Sequence, residues 1–146
     1  MVGHVPQSLT SIILDAYFSG KTIKAALMIG THAIDRDADI DFHTAGNLQA
    51  HEVANGLGYT TGGVTVTLTV TKSDANDTVI VDITNPQWTA SGGSIVANKC
   101  VVYVANGTTD PVIKIIDFEG DQTATNGNNL TVTIDAGGLV VYDCAP

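Results

Sequence analysis

Residues 87–118 read QWTASGGSIVANKCVVYVANGTTDPVIKIIDF, and this stretch decides the class of fold. It carries the one Trp and two β-branched apolar runs. The Ser91-Gly92-Gly93-Ser94 turn signal precedes the first run, and Asn106-Gly107 with Asp110-Pro111 separates it from the second. The pattern predicts the central hairpin of a β-sheet core. In the first run Val102 and Val104 alternate with Val101 and Tyr103, so both faces are partly apolar and the strand belongs in a sheet interior. Residues 113–118 read the same way.

Working outward, residues 64–71 (VTVTLTVT) alternate aliphatic and Thr without a break, as expected of a strand with one wet face. Residues 73–77 form a turn, and Val79, Val81 and Ile83 resume the alternation. Downstream, residues 120–129 are nearly all polar or Gly and predict a loop. Residues 130–134 alternate again, Asp135-Ala136-Gly137-Gly138 turns, and residues 139–142 return as a closing strand. Short strands separated by Gly, Asn and Asp turns predict a mainly β chain, an antiparallel β-sandwich or open barrel, rather than a parallel α/β fold.

Only the N-terminal part departs from this. Leu9, Ile12, Ile13, Ala16 and Tyr17 fall at i, i+3, i+4, i+7 and i+8, which predicts a helix over residues 8–20 with Ser8 as N-cap and Gly20 as its stop. Such a stripe needs a sheet or a partner chain to lie on. Residues 22–29 read as a strand, with a continued helix as the alternative. Across residues 30–63 no period holds, which predicts a long irregular arm with a short helix near 48–55. The expected organisation is one domain, 1–146: an N-terminal segment and helix (1–21), the arm (30–63) and a β core (64–146).

The ordered set Gly58-Tyr59-Thr60-Thr61-Gly62-Gly63, Trp88 within Gln87-Trp88-Thr89-Ala90-Ser91, Val101-Val102-Tyr103, Asp110-Pro111-Val112-Ile113 and Ile116-Asp117-Phe118 resembles a family of small virion structural proteins of tailed bacteriophages. The resemblance covers residues 58–139. It implies a role in assembly contacts, with no catalytic set to carry over.

The chain has 146 residues, of which 44% are hydrophobic, only 5% aromatic and 14% charged, so burial falls to Val, Ile, Leu and Ala. The formal net charge is −9, and the six Lys and Arg are scattered. No basic stripe exists to neutralise phosphates, which argues against nucleic-acid binding. An acidic surface suits a protein facing solvent in a crowded assembly, although it is also common among soluble domains. Cys100 and Cys144 have no metal-binding spacing. Cys100 reads as a buried small hydrophobe, and a bond between the two is open. The N-terminus has neither a basic nor an apolar signal region, and no apolar run spans a bilayer, so the expectation is a soluble chain made in the host cytoplasm with no membrane partner.

Candidate chemistry is sparse. Asp35, Asp37, Asp39 and Asp41 would share one face of an extended chain and could gather around Ca²⁺. The nearest EF-hand register starts at Asp41, with Gly46 and Glu52 in place, but His43 and Ala45 stand where oxygen ligands belong, so a solvated acidic loop is the better reading. His32, His43 and His51 raise a zinc site, which their spacing does not support. Ser91-Gly92-Gly93-Ser94 lacks the pattern of a nucleophile elbow. Glu occurs only as Glu52 and Glu119, with nothing to position an acid/base pair. Trp88 reads as a core anchor rather than a contact hot spot. No catalytic, cofactor or metal residue is therefore assigned, and the chain is not expected to be an enzyme. The resemblance implies a virion component. A capsid decoration (cement) protein on the outer head is expected, bound to the major capsid protein and to itself as a homotrimer. The alternatives are a tail, neck or baseplate component or fibre adaptor, and a carbohydrate-binding β-sandwich using Tyr59, Trp88 or Tyr103.

Overall fold

The structure, a computed structural model, describes residues 6–30 and 48–144. The chain is mainly β, with antiparallel sheets and one N-terminal α-helix, as the alternation and turns predict. Its elements are α1 (Gln7–Phe18), β1 (Thr22–Met28), a 3-10 turn (Leu48–His51), β2 (Val64–Val66), β3 (Leu68–Ser73), β4 (Thr78–Ile83), β5 (Gln87–Thr89), β6 (Ile95–Ala105), β7 (Val112–Ala124), β8 (Asn129–Thr131) and β9 (Val140–Asp143). The chain divides into two compact units: Met1–Lys21 with Thr67–Thr84 and Thr133–Pro146, and Thr22–Val66 with Asn85–Val132. The path therefore passes from one unit to the other after Lys21, Val66, Thr84 and Val132.

The larger unit is built on a four-stranded sheet in the order β2-β1-β6-β7. The predicted hairpin is its centre: β6 pairs antiparallel with β7 across the Asn106–Asp110 turn, and β1 pairs with β6 from Thr22↔Ala105 to Met28↔Lys99. Both faces of β1 and β6 are buried. Ala26, Met28, Val101 and Tyr103 form one face, under Leu48, while Ile23, Ala25, Leu27, Cys100, Val102 and Val104 are buried from the other. The strand assignment of residues 22–28, rather than a continued helix, follows from this two-sided burial. β7 differs from expectation. Among the described strands it pairs only with β6, so it is an edge, and it runs on through residues 120–124 where a loop was predicted. The polar residues 121–123 suit an exposed edge, and the ladder is interrupted between Ala97 and Lys99, where Glu119 takes a positive φ of 59°. β5 and β8 pair separately, so Trp88 lies outside the hairpin proper, opposite Leu130.

The smaller unit is a three-stranded sheet, β3-β4-β9, with α1 packed against β3 and β4. The unbroken VTVTLTVT alternation is two strands. β2 joins β1 and β3 joins β4, with the switch at Thr67, whose N–H donates to Thr84 Oγ1 (3.1 Å) while its carbonyl accepts from Thr84 N (3.0 Å). Residues 130–134 are likewise shorter as a strand, because β8 ends at Thr131 and Val132 N donates to Pro86 O instead. The helix begins one residue earlier than predicted and has no side-chain cap: Pro6 takes the N-cap position and Ser8 lies inside the first turn.

Gly63 fixes how closely the arm approaches the sheet. Its φ is +70°, and a Cβ there would lie 1.9 Å from the Ala25 carbonyl oxygen. Gly107 has a similar φ of +77° with nothing within 4 Å. Gly107→Ala should therefore cost only the left-handed backbone penalty, about 1 kcal/mol, whereas Gly63→Ala must also displace backbone and should cost at least about 3 kcal/mol. Urea unfolding of the two variants checks the difference, and equal losses would contradict the close approach.

Candidate functional site

Among the described residues, one convergence of buried polar groups lies where the arm meets the larger sheet. Backbone pairing puts them there. Ile29 N donates to His51 O (2.9 Å) and Val53 N to Leu27 O (2.9 Å), which holds Glu52 opposite Met28 at the end of β1. The chain then reverses tightly at Gly56-Leu57-Gly58-Tyr59, with Gly56 and Tyr59 exchanging backbone hydrogen bonds and both central residues at positive φ. This delivers Tyr59 into the interior. Its hydroxyl accepts from Leu27 N (3.2 Å) and donates to Glu52 Oε1 (2.6 Å), which also accepts from Gly62 N (2.5 Å). Tyr103, from β6, donates to Gly62 O (2.8 Å). Glu52 Oε2 and Trp88 Nε1 are buried with no hydrogen-bonding partner among the described residues. The Trp88 ring lies 6.3 Å from that of Tyr59.

Burial raises the Tyr59 phenol far above its ordinary value, with the Glu52 hydrogen bond adding to it. Tyr103 is pushed up to about 12 by burial and by the Glu52 charge, and Cys100 to about 12 by burial alone. These groups stay protonated in the folded chain, so the arrangement ties the arm to the sheet and offers no nucleophile at neutral pH. Tyr59, Gly62, Trp88 and Tyr103, which the sequence separates widely, thus come together around one buried contact. Glu52 was not singled out as part of it, because no local pattern marks a carboxylate whose partners lie seven and ten residues on.

The other sequence candidates fall differently. Tyr59, Trp88 and Tyr103 are all buried, at 2%, 3% and 1% exposure, so none presents a ring to a sugar, and Trp88 is the core anchor expected of it. Cys100 is buried as expected and both cysteines are free thiols, Cys144 in the smaller unit. Asp35, Asp37, Asp39, Asp41, His32 and His43 lie outside the described residues, as do Ala45 and Gly46. His51 closes the 3-10 turn, and no group of three or more His, Cys, Asp or Glu fit to hold a metal is found among the described residues. No helix among the described residues is long and apolar enough to cross a membrane.

The second place is the outer face of α1. The predicted stripe exists, but it points to solvent: Leu9 is 48% exposed, Ile12 63%, Ile13 54% and Tyr17 45%. The half-buried positions are Gln7, Thr10, Ser11, Leu14 and Phe18, and Gln7 Nε2 donates to Ser73 O (3.0 Å) in β3. The helix therefore turns its more apolar side outward, an exposed apolar patch of the kind that marks candidate interaction surfaces.

No family model, no curated protein and no solved structure matches the chain.

Glu52→Ala should strand the Tyr59 hydroxyl and the Gly62 N–H and cost about 2–3 kcal/mol, while Glu52→Gln, which keeps an acceptor at Oε1, should cost less. Denaturant midpoints for the two variants check this. Because the raised thiol and phenols hold protons that the unfolded chain releases, the folded state binds more protons at alkaline pH, and stability must fall as pH rises. The fall should begin near the ordinary thiol and phenol values of 9.0 and 10.0, continue to about 12 for Cys100 and Tyr103, and be carried further by Tyr59. Cys100→Ala should remove its earliest part, and a flat profile above pH 9 would contradict the burial of all three groups.

Proposed function

We propose that this chain is a virion structural protein of a tailed bacteriophage, a decoration (cement) protein that binds the outer surface of the head and ties neighbouring major capsid subunits together. The observation that carries the reading is the outward apolar face of α1 on a chain of net charge −9. A side chain such as Ile12, 63% exposed, gains from burial only against another surface, and this is the economy of an assembly component. The acidic balance supports an outside location, since a negatively charged coat does not adhere to nucleic acid or to its own kind except where charge is absent. The motif resemblance supports the choice of particle. Four of its residues, Tyr59, Gly62, Trp88 and Tyr103, lie at the buried contact between arm and sheet, and its segments from Val101 onward lie on the β6–β7 hairpin and its turn. Many modest contacts, each of ordinary size, reinforce a shell by acting together.

Quantitative mass spectrometry on separated heads and tails tests the reading. The expected result is recovery with heads in a fixed ratio to the major capsid protein. Recovery with tails, at a few copies per particle, would replace decoration with a tail, neck or baseplate component or a fibre adaptor. Absence from both would remove the virion reading.

A further inference from the structure

We propose that Asn55 is a site of covalent modification in the folded chain: its side chain closes on the Gly56 nitrogen, ammonia is lost, and an isoaspartyl link remains. The fold shuts the same reaction at Asn106 and Asn126. The chain has three Asn-Gly steps, Asn55-Gly56, Asn106-Gly107 and Asn126-Gly127, and all three asparagines are exposed. Glycine favours the reaction because it has no side chain to crowd its nitrogen. In the first step the Gly nitrogen bonds to the Asn Cγ, the Cγ–Nδ2 bond breaks, and the Gly proton leaves with Nδ2 as ammonia. Water then opens the cyclic imide. Opening on the main-chain side leaves the backbone running through the former side chain.

Two groups have to be free for this: the Gly N–H, which must lose its proton, and the Asn carboxamide, which must turn to face it. Space does not separate the three steps, since a Cβ at Gly56, Gly107 or Gly127 would meet nothing within 4 Å. Hydrogen bonds do. Asn106 Oδ1 accepts from Thr108 N (2.9 Å), Thr109 N (3.1 Å) and Asp110 N (3.1 Å), and its Nδ2 donates to Thr109 Oγ1 (3.2 Å). Gly107 N donates to Asp110 Oδ1 (2.8 Å), an acceptor in a buried residue, which opposes loss of the proton. Closing this ring breaks the whole turn.

Asn126 is held from another stretch of chain. Its Oδ1 accepts from Gly92 N (2.8 Å), Gly127 N donates to Ala90 O (2.8 Å), and Ala90 N donates to Asn128 O (2.9 Å). Asn55 has less. Its Oδ1 accepts from Thr61 N at 3.2 Å, and Gly56 N donates to Tyr59 O (2.9 Å), so both partners belong to the same short reversal. The tip of that reversal is Leu57, half exposed with a positive φ of 53°, and the bond from Ser91 N to Leu57 O (3.0 Å) ties it to the turn after β5. A strained, exposed tip opens locally at low cost, and that opening frees both reacting groups. The isoaspartyl link would add a backbone carbon and a carboxylate where the chain enters the reversal that delivers Tyr59, so the product should hold the arm less firmly.

Incubation of the full chain in mildly alkaline buffer, folded and in guanidinium, tests this with tandem mass spectrometry to place each amide-to-acid change and an isoaspartyl methyltransferase to mark the link. In guanidinium the three steps should react at similar rates. In the folded chain Asn55 should react first, at least about tenfold faster than Asn106, whose extra hydrogen bonds must all be broken. Asn126 should also trail it. Folded chain in which Asn106 or Asn126 keeps pace with Asn55, or in which Asn55 stays intact while the unfolded chain converts, would overturn the site. The isolated product should unfold at lower denaturant than its parent, and an equal midpoint would overturn the consequence for the arm. None of these outcomes depends on where the chain sits in a particle.

Discussion

A strand that is apolar on both faces has to be covered twice, and β1 and β6 impose this on the larger unit. With aromatics at 5% of the chain, few side chains are large enough to provide the second cover. The backbone of the arm does so instead. Gly63 sits where a Cβ would meet the Ala25 carbonyl, and Gly58 where one would meet the carbonyl of Thr89, so the arm approaches by omitting side chains at its points of contact. Tyr59 then secures it, accepting from the sheet at Leu27 and donating to the arm's own Glu52. What reads in the sequence as an irregular segment is, from Leu48 onward, the lid of the core.

Much of the fold was legible because local patterns and global burial agree. The hairpin of β6 and β7, the turn at Asn106-Gly107 and the helix all lie where apolar periods and turn residues place them. Legibility failed where the pattern continues but the partner changes. Val64 to Thr71 alternates without a break, yet at Thr67 the chain leaves one sheet for another, and alternation records only that successive side chains point to opposite sides. Residues 120–124 failed for the converse reason. A strand edge facing water can be as polar as a loop, and only the pairing of Ile95, Val96 and Ala97 with Ala124, Thr123 and Gln122 distinguishes them.

The candidate surface was half legible. Leu9, Ile12, Ile13 and Tyr17 announce an amphipathic helix, but periodicity does not say which side the protein's own sheet will take. The sheet took Leu14 and Phe18 together with Gln7, Thr10 and Ser11. The more apolar side of the helix is thus the one its own sheet leaves exposed. The Glu52 and Tyr59 contact was illegible for a simpler reason: it is made across a tight reversal and a strand end, and neither residue is unusual in its own neighbourhood.

The interleaving of the two units has a consequence for how the chain is made and broken. Because the path crosses after Lys21, Val66, Thr84 and Val132, the smaller unit is assembled from three separated stretches and cannot close until the ribosome has delivered the last of them. Such closure is long in sequence separation and therefore slow. Once made, it is hard to undo piecemeal. A cut in the turn between β3 and β4 leaves the two fragments paired along the whole ladder from Leu68↔Ile83 to Ser73↔Thr78.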